Sequence, residues 1–331
     1  MRRYRVNPSG GILLENVAPK PVGPDEVRVR MRAVSLNFRD HLIAQGAYPL
    51  PVKADLIPAS DGAGEVVEVG SAVGTVRVGD RVATAFFPDW SDGEINPPAV
   101  AKSLGGSVDG VLAEEVVLPN NALLPVPDCL TFEQAATLPC AGVTAWNAIE
   151  QVGRVAPGDV VLLQGTGGVS TFALQFAKLA GATVIQISSS DKKLQIARSR
   201  GADHLINYTV TPAWDVEALR LTGGRGVDLV VEIGGAATLE RSIRAVRMGG
   251  RIAGIGLAGG LGKIDPLPIL TGVVQLTGIL VGNHQMYRAM VRAMVISGIE
   301  PVIGRIFGFE KATVALDHIV HGDSGKIVIR I

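Results

Sequence analysis

Between residues 160 and 281 the chain alternates short, nearly unbroken apolar runs with amphipathic stretches. The run 160–163 meets a glycine turn, Gln164-Gly165-Thr166-Gly167-Gly168-Val169-Ser170, which opens a helical run over 171–180. A second apolar strand is predicted over 182–187. A helix follows over 191–200, ending at Gly201, and then a short third strand at Leu205-Ile206. The pattern continues with a fourth strand over 227–233 and a helix over 238–247 that stops at Gly249-Gly250. A fifth strand over 251–255 and a sixth over 273–281 complete it. Strands that are apolar on both faces and alternate with helices predict a parallel, doubly wound sheet covered on both sides. The fold class is therefore α/β.

The first part of the chain has another texture. Residues 27–33 alternate strictly, with valine, methionine and alanine on one face and arginine on the other, as a half-exposed strand does. Further short strands are predicted over 65–69 and 81–83, punctuated by Gly70, Gly74 and Gly79. Short strands with glycine turns suggest an antiparallel barrel. Residues 88–110, rich in Pro, Gly, Asp and Ser, read as a long surface loop. Pro125-Val126-Pro127 marks the passage to the second half. Thr131 and Gln134 fit a capping box on a short helix that Pro139 ends, and another helix over 142–151 closes at Gly153. Helix 285–297 and a final strand over 326–331 return to the first domain. The expected division is thus 1–125 with 285–331, and 126–284.

Composition narrows the classes of function. The 331 residues suffice for two domains, and the net charge of +0, spread along the chain, argues against nucleic acid as a partner. Cys129 and Cys140, the two cysteines of the chain, exclude a disulfide framework and fit a reducing compartment. Arg2 and Arg3 have no apolar segment behind them, so no signal peptide is read. No apolar run reaches membrane-spanning length. The expectation is a cytoplasmic protein with no membrane partner.

The glycine turn carries the chemistry. Gly165 would make the tight turn, and Gly167 would let the backbone approach a pyrophosphate. Gly168 and Val169 would offer helix N-terminal N–H groups. The third glycine of the dinucleotide pattern is replaced by Ser170, so an ordinary βα turn competes with this reading. Where an NAD site places a ribose-binding carboxylate, this chain has Ser188, followed by Ser189, Ser190, Asp191, Lys192 and Lys193. A hydroxyl does not repel a 2′-phosphate, and a lysine can pair with it, which favours NADPH over NADH. In the competing reading Ser189 or Ser190 caps a helix, Asp191 sits in its first turn and the lysines face water. Gly234, Ile255 and Gly256 fall at carboxyl ends of strands, the usual ligand edge.

Several ordered segments together resemble the medium-chain dehydrogenase/reductase superfamily, most closely its zinc-independent, quinone-oxidoreductase-like branch. They are Ser35-Leu36-Asn37-Phe38-Arg39-Asp40, Ser60-Asp61-Gly62-Ala63-Gly64-Glu65, Val78-Gly79-Asp80-Arg81-Val82, Ala141-Gly142-Val143-Thr144-Ala145-Trp146, the glycine turn, and Gly223-Gly224-Arg225-Gly226-Val227-Asp228. The resemblance implies a GroES-like barrel joined to a Rossmann domain with a six-stranded parallel sheet. It also implies an active site in the cleft between the two, and hydride chemistry with a nicotinamide cofactor. It adds Lys193 and Tyr208 as readers of the 2′-phosphate, and Val281, Gly282 and Asn283 as backbone holders of the carboxamide. Asn37, Tyr48 and Thr144 come out as residues of the reacting end. Asp40 is either catalytic or a brace that accepts backbone N–H bonds. Relatives that use zinc bind it through Cys, His and Cys; the matching places here are Asn37, Ser60 and Cys140, and the loop 88–110 has none of the cysteines of a structural zinc site. His204, His284, His318 and His321 show no metal-ligand spacing with Cys140.

Without a Lewis acid, a conjugated acceptor is easier to reduce than an alcohol is to oxidise. The expected function is an NADPH-dependent reductase of quinones or α,β-unsaturated carbonyls that holds no zinc and acts on a small molecule. The alternatives are a metal-free alcohol or carbonyl dehydrogenase, and a dinucleotide-binding sensor or structural protein with little turnover. The sixth strand, long, apolar and last in the sheet, suggests a homodimer formed along that edge.

Overall fold

The structure, a computed structural model, describes residues 1–256, 258–260 and 262–331. Its strands are β1 (Arg2–Val6), β2 (Ile12–Asn16), β3 (Glu26–Leu36), β4 (Asp61–Val69), β5 (Arg81–Thr84), β6 (Glu115–Pro119), β7 (Leu123–Pro125) and β8 (Val160–Gln164). They continue with β9 (Thr183–Ser188), β10 (His204–Asn207), β11 (Val227–Glu232), β12 (Val246–Gly254), β13 (Gln275–Gly278), β14 (Ile303–Gly308) and β15 (Lys326–Arg330). Two units separate: Met1–Val143 with Gly282–Ile331, and Thr144–Val281.

In the first unit β3 is the organising strand. Val27, Val29, Met31 and Ala33 are buried while Arg30 and Arg32 are exposed, as the alternation predicts. One edge of β3 pairs antiparallel with β4; the other pairs first with β6, through residues 26–30, and then with β15, through residues 33–36. The sheet runs β14-β15-β3-β4-β5-β7, and β14–β15 is its parallel pair. Val29, Met31, Val66, Leu112, Leu118, Phe309, Ile327 and Ile329 belong to one apolar core. Burying these side chains supplies the main favourable contribution to this unit's stability.

Residues 88–110 are more than a surface loop. Trp90 and Leu104 are buried, and Pro97–Val100 forms one helical turn capped by Asn96. Hydrogen bonds from Leu104 N to Phe86 O and from Gly110 N to Ile57 O, at 3.1 and 2.7 Å, tie the segment to its neighbours. The polar composition signalled irregular backbone correctly but hid two apolar anchors. Segment 126–143 groups with the first unit, whereas the sequence places the division at 125/126. Its helix Phe132–Ala136 packs on β3, β4 and β15. The capping box is present: Thr131 N donates to Gln134 Oε1 at 2.9 Å and Gln134 N to Thr131 Oγ1 at 3.1 Å. That helix stops at Ala136. Pro139 sits in the first turn of the wider π-turn Leu138–Gly142, where its missing N–H leaves no bond unmade.

The second unit holds six parallel strands in the order β10-β9-β8-β11-β12-β13. This is the doubly wound Rossmann order, with the ligand edge where the winding reverses beside β8. Leu162, Ile185, Val230 and Ile252 on the strands share a core with Trp214 and Ile243 on helices. Two boundaries differ from the expectation. The helix expected over 238–247 is Leu239–Ala245, and β12 begins at Val246, so Gly249-Gly250 lie inside an irregular strand. The Asp228 carboxylate holds both Arg225 and Arg247, which draws residue 247 out of the helix and beside β11. The sixth strand is only Gln275–Gly278; Val273 and Val281 flank it at φ 52° and 54°, left-handed values at which extended pairing stops. Among the described residues no helix is long and apolar enough to cross a membrane.

Candidate active site

The register of the first sheet brings four distant residues together. β15 pairs with β3 so that Ile327 faces Leu36, and β4 pairs so that Asp61 faces Ser35. The starts of β4 and β15 therefore meet the end of β3, which Asn37 follows. The Lys326 ammonium, 3 % exposed, donates to Leu36 O at 2.6 Å and to Asn37 Oδ1. Asn37 Nδ2 donates to Ser60 Oγ at 3.4 Å, and Ser60 Oγ donates to Asp61 Oδ1 at 2.6 Å. Asp61 Oδ2 accepts from Cys140 N at 3.2 Å and lies 4.0 Å from Lys326 Nζ.

Asp40, fully buried, accepts the Asn37 N–H at 2.7 Å and so braces the turn into helix Phe38–Ala44. Burial raises its carboxyl to about 6 despite the nearby Arg39 guanidinium. Burial also raises Asp61, opposed by Lys326 and the Ser60 hydroxyl. Arg39 donates to Leu104 O at 2.6 Å and stacks over Phe86 and Tyr48, with centroids 4.3 and 5.8 Å away. Tyr48 thus packs against an arginine of the helix that precedes it.

The three positions matched to zinc ligands suit a metal poorly. Asn37 and Ser60 are neutral and engaged with each other, and desolvation beside Asp61 pushes the Cys140 thiol up to about 12. A lone thiol beside a neutral amide and a hydroxyl falls short of the three Cys, His or carboxylate ligands that a catalytic zinc needs. Among the described residues no group of three or more His, Cys, Asp or Glu could hold a metal ion.

In the second unit the glycine turn has the form that a dinucleotide needs. Gly165 takes φ 65°, the left-handed turn conformation. Gly167 is the N-cap of helix Gly168–Leu179, and no side chain accepts from that helix start. Among the described residues a Cβ at Gly167 would meet nothing within 4 Å, and the N–H groups of Gly168 and Val169 open the helix without an intrahelical acceptor. Ser170, in the place of the third glycine, donates its hydroxyl back to Gln164 O and is buried. The departure from the glycine pattern thus tightens the turn.

Ser188 ends β9 and faces Asn207 of β10, and Tyr208 N donates to Ser188 O at 3.0 Å. Ser188 is buried, Ser189 exposed and Tyr208 40 % exposed. Ser190 caps the helix Asp191–Ser199 by accepting from Lys193 N, and Asn207 Nδ2 occupies Asp191 Oδ1 at 2.8 Å. One oxygen of the Asp191 carboxylate is thus engaged by Asn207, and Lys193 lies in the first turn of the same helix.

Sequence reasoning missed Gln164 and Glu232. The Glu232 carboxylate, 2 % exposed, accepts from Gly234 N at 2.7 Å, Gly235 N at 3.1 Å, Thr238 Oγ1 at 2.5 Å, Gln164 Nε2 at 2.6 Å and Ser242 Oγ. Gln164 Oε1 accepts from Ile233 N at 3.1 Å. These two side chains fix the loop after β11, and Ile255 N donates to Glu232 O at 2.8 Å. Gly234, Ile255 and Gly256 thus lie together at the carboxyl ends of β11 and β12. A polar residue closing each of two apolar strands was the visible signal.

Thr144, the first residue of the second unit, is buried. Val281 O accepts from Asn147 Nδ2 at 2.8 Å. Gly282 begins the returning part of the first unit, and Asn283 caps helix His284–Ser297 by accepting from Met286 N at 2.8 Å.

Comparison with known proteins agrees with this architecture. The family models for the alcohol dehydrogenase GroES-like domain and for zinc-binding dehydrogenase match residues 23–128 and 168–295. A zinc-type alcohol dehydrogenase-like protein of Schizosaccharomyces pombe is 42 % identical over 325 residues, covering 96 % of this chain and 94 % of its own. An NAD-dependent alcohol dehydrogenase structure is 33 % identical at a TM-score of 0.90, with 100 % of both chains covered. A quinone oxidoreductase of Pseudomonas syringae pv. Tomato DC3000 is 27 % identical at a TM-score of 0.85, covering 100 % and 99 %. The mycobacterial protein Rv1454c, complexed with NADPH, is 26 % identical at a TM-score of 0.85, covering 100 % of both. With its GroES-like and Rossmann units, the chain belongs to the medium-chain dehydrogenase/reductase superfamily, in its quinone-oxidoreductase-like branch, and is an oxidoreductase that uses a nicotinamide dinucleotide.

Proposed function

We propose that this protein transfers a hydride from NADPH to a quinone or an α,β-unsaturated carbonyl without zinc. The observation that carries the reading is the polar set at Asn37, Ser60 and Cys140, an amide, a hydroxyl and a lone thiol where a catalytic zinc needs three Cys, His or carboxylate ligands. Such groups donate hydrogen bonds to oxygen; they do not ionise an alcohol. A bound reduced nicotinamide would supply the hydride.

The first unit takes the substrate in this reading, and the second the cofactor. Asn37 donates to the acceptor's oxygen, where negative charge develops, and Tyr48 bounds the pocket; Thr144 hydrogen-bonds the cofactor. Gly165, Gly167, Gly168 and Val169 hold the pyrophosphate. Ser188, Ser189, Lys193 and Tyr208 read the 2′-phosphate, and Gly234, Ile255 and Gly256 flank the nucleotide. The backbone of Val281, Gly282 and Asn283 holds the carboxamide. The NADPH complex of the mycobacterial neighbour supports the cofactor. A metal-free alcohol or carbonyl dehydrogenase is the second reading, favoured by the names of the yeast relative and the NAD-dependent neighbour.

Assays of NADPH oxidation against quinones, enals, ketones and alcohols test the substrate class. The cofactor is tested at Lys193. Lys193→Ala is expected to weaken NADPH by roughly tenfold or more, the worth of one charge-assisted contact, and to leave NADH nearly unchanged. Equal weakening of both would show that Lys193 does not read the phosphate.

We also infer a homodimer along β13. This strand is the sheet's edge and all four of its residues are exposed, with Leu270, Val273 and Leu280 nearby 71 %, 61 % and 52 % exposed. An uncovered apolar edge favours pairing. Light scattering at micromolar concentration should give twice the chain mass; a monomer would refute the inference. Two unpaired cysteines fit a cytoplasmic setting.

A further inference from the structure

Lys326 is the chain's most unexpected buried group. It opens a strand whose next three residues are Ile, Val and Ile, and it is 3 % exposed. Burying an ammonium is costly unless its donors are matched and its charge is answered. Both conditions hold here: Leu36 O and Asn37 Oδ1 accept from Nζ, and Asp61 answers the charge at 4.0 Å. Nothing in the cofactor chemistry assigned above requires this arrangement.

Lysine has donors only, so whatever meets its ammonium must present an acceptor. The Asn37 amide can therefore take one of its two orientations, with Oδ1 toward Lys326 and Nδ2 away from it. A flipped amide would set two N–H groups against three. Ser60 completes the alignment, because its oxygen accepts from Asn37 Nδ2 while its hydroxyl donates to Asp61. The bond to Ser60 uses one Nδ2 hydrogen, at a long 3.4 Å; the Asp61 carboxylate also attracts this half-buried amide but lies beyond hydrogen-bond distance, so the second hydrogen can turn to an incoming acceptor. A cation on the oxygen of an amide also makes its N–H a stronger donor, as chains of hydrogen bonds polarise one another.

We propose that Lys326 is a positioning residue for reduction: it locks Asn37 with an N–H toward the acceptor and polarises that N–H for the negative oxygen formed on hydride transfer. The proposal rests on the reading that Asn37 donates to the acceptor's oxygen. In the overall step, hydride adds to the quinone, one solvent proton completes the hydroquinone, and the dinucleotide leaves oxidised. Lys326 keeps its protons throughout.

The test is steady-state kinetics with NADPH and 1,4-benzoquinone for the wild type, Asn37→Ala, Lys326→Met, their double variant and Asn37→Asp. Melting temperature and NADPH affinity are recorded alongside. Asn37→Ala and Lys326→Met should each lower kcat by about ten- to a hundredfold, with NADPH affinity within threefold. The double variant should be at most about threefold slower than the slower single variant, because both remove one device. Asn37→Asp leaves the ammonium a partner but has no N–H to present, so it should stay folded and lose kcat as Asn37→Ala does. Should Lys326→Met fail to fold, Lys326→Gln takes its place: it can still donate to Leu36 O and Asn37 Oδ1 but carries no charge, and wild-type kcat in it would overturn the polarising role. The proposal is overturned if Lys326→Met keeps more than half of wild-type kcat, if the two losses multiply, or if Asn37→Asp is fully active. An impaired Asn37→Ala beside an unimpaired Lys326→Met sinks the proposal alone. A fully active Asn37→Ala, or a wild type that reduces no quinone, sinks the functional reading as well.

Discussion

Replacing Gly167 by Asp is expected to raise the dissociation constant for NADPH by about a hundredfold, roughly 3 kcal/mol, while leaving the fold intact. Gly167 has φ −73° and ψ −174°, values open to any residue, and among the described residues a Cβ there meets nothing within 4 Å. The substitution therefore introduces no strain. Aspartate is also a good N-cap, so the helix Gly168–Leu179 should gain a few tenths of a kcal/mol. The same carboxylate would occupy the place of a phosphate and repel one. Stability and affinity should thus move in opposite directions, which general damage to the fold cannot imitate. Thermal melting and cofactor titration measure the two effects. Affinity within threefold of wild type would mean that the pyrophosphate lies elsewhere.

Glu232→Gln should destabilise the protein by about 2–4 kcal/mol. The carboxylate accepts five hydrogen bonds, and an amide of the same shape turns one accepting oxygen into a donor. Whichever way the amide faces, at least one buried N–H or O–H group must lose its acceptor or turn away. The loop after β11 should loosen with it, so NADPH affinity should fall although Glu232 is placed in no direct contact. Chemical denaturation gives the first quantity. A loss below 0.5 kcal/mol would show that the network relaxes around the amide.

Much of the architecture was legible in the chain because burial imposes simple periods. The alternation along β3 places its arginines outside and its valines inside, and the continuous apolar runs of β8, β9 and β11 predict a sheet covered on both faces. The glycine turn, the Thr131 capping box and the return of β15 to β3 follow from local chemistry or from strand pairing. What escaped was set by tertiary partners. Asp228 draws Arg247 out of the preceding helix, and left-handed Val273 and Val281 cut the last parallel strand short. Trp90 and Leu104 were hidden in a polar stretch by their neighbours. At the site, Asn37, Ser60 and Cys140 could be named from motifs, but the lysine that orients Asn37 lies 289 residues away along the chain. Only the register of β15 against β3 makes them neighbours.

The central claim is that a hydrogen-bonding, metal-free site reduces a conjugated acceptor. It is tested most directly by purified, chelator-treated protein whose zinc has been quantified, supplied with NADPH and 1,4-benzoquinone and, separately, with NADP and a saturated primary alcohol. The account predicts well under one zinc per chain, quinone turnover unchanged by the chelator, and far slower alcohol oxidation. Stoichiometric zinc lost together with activity, or alcohol oxidation as fast as quinone reduction, would contradict it. Tight NADPH binding with no acceptor reduced would point instead to a binding or sensing protein.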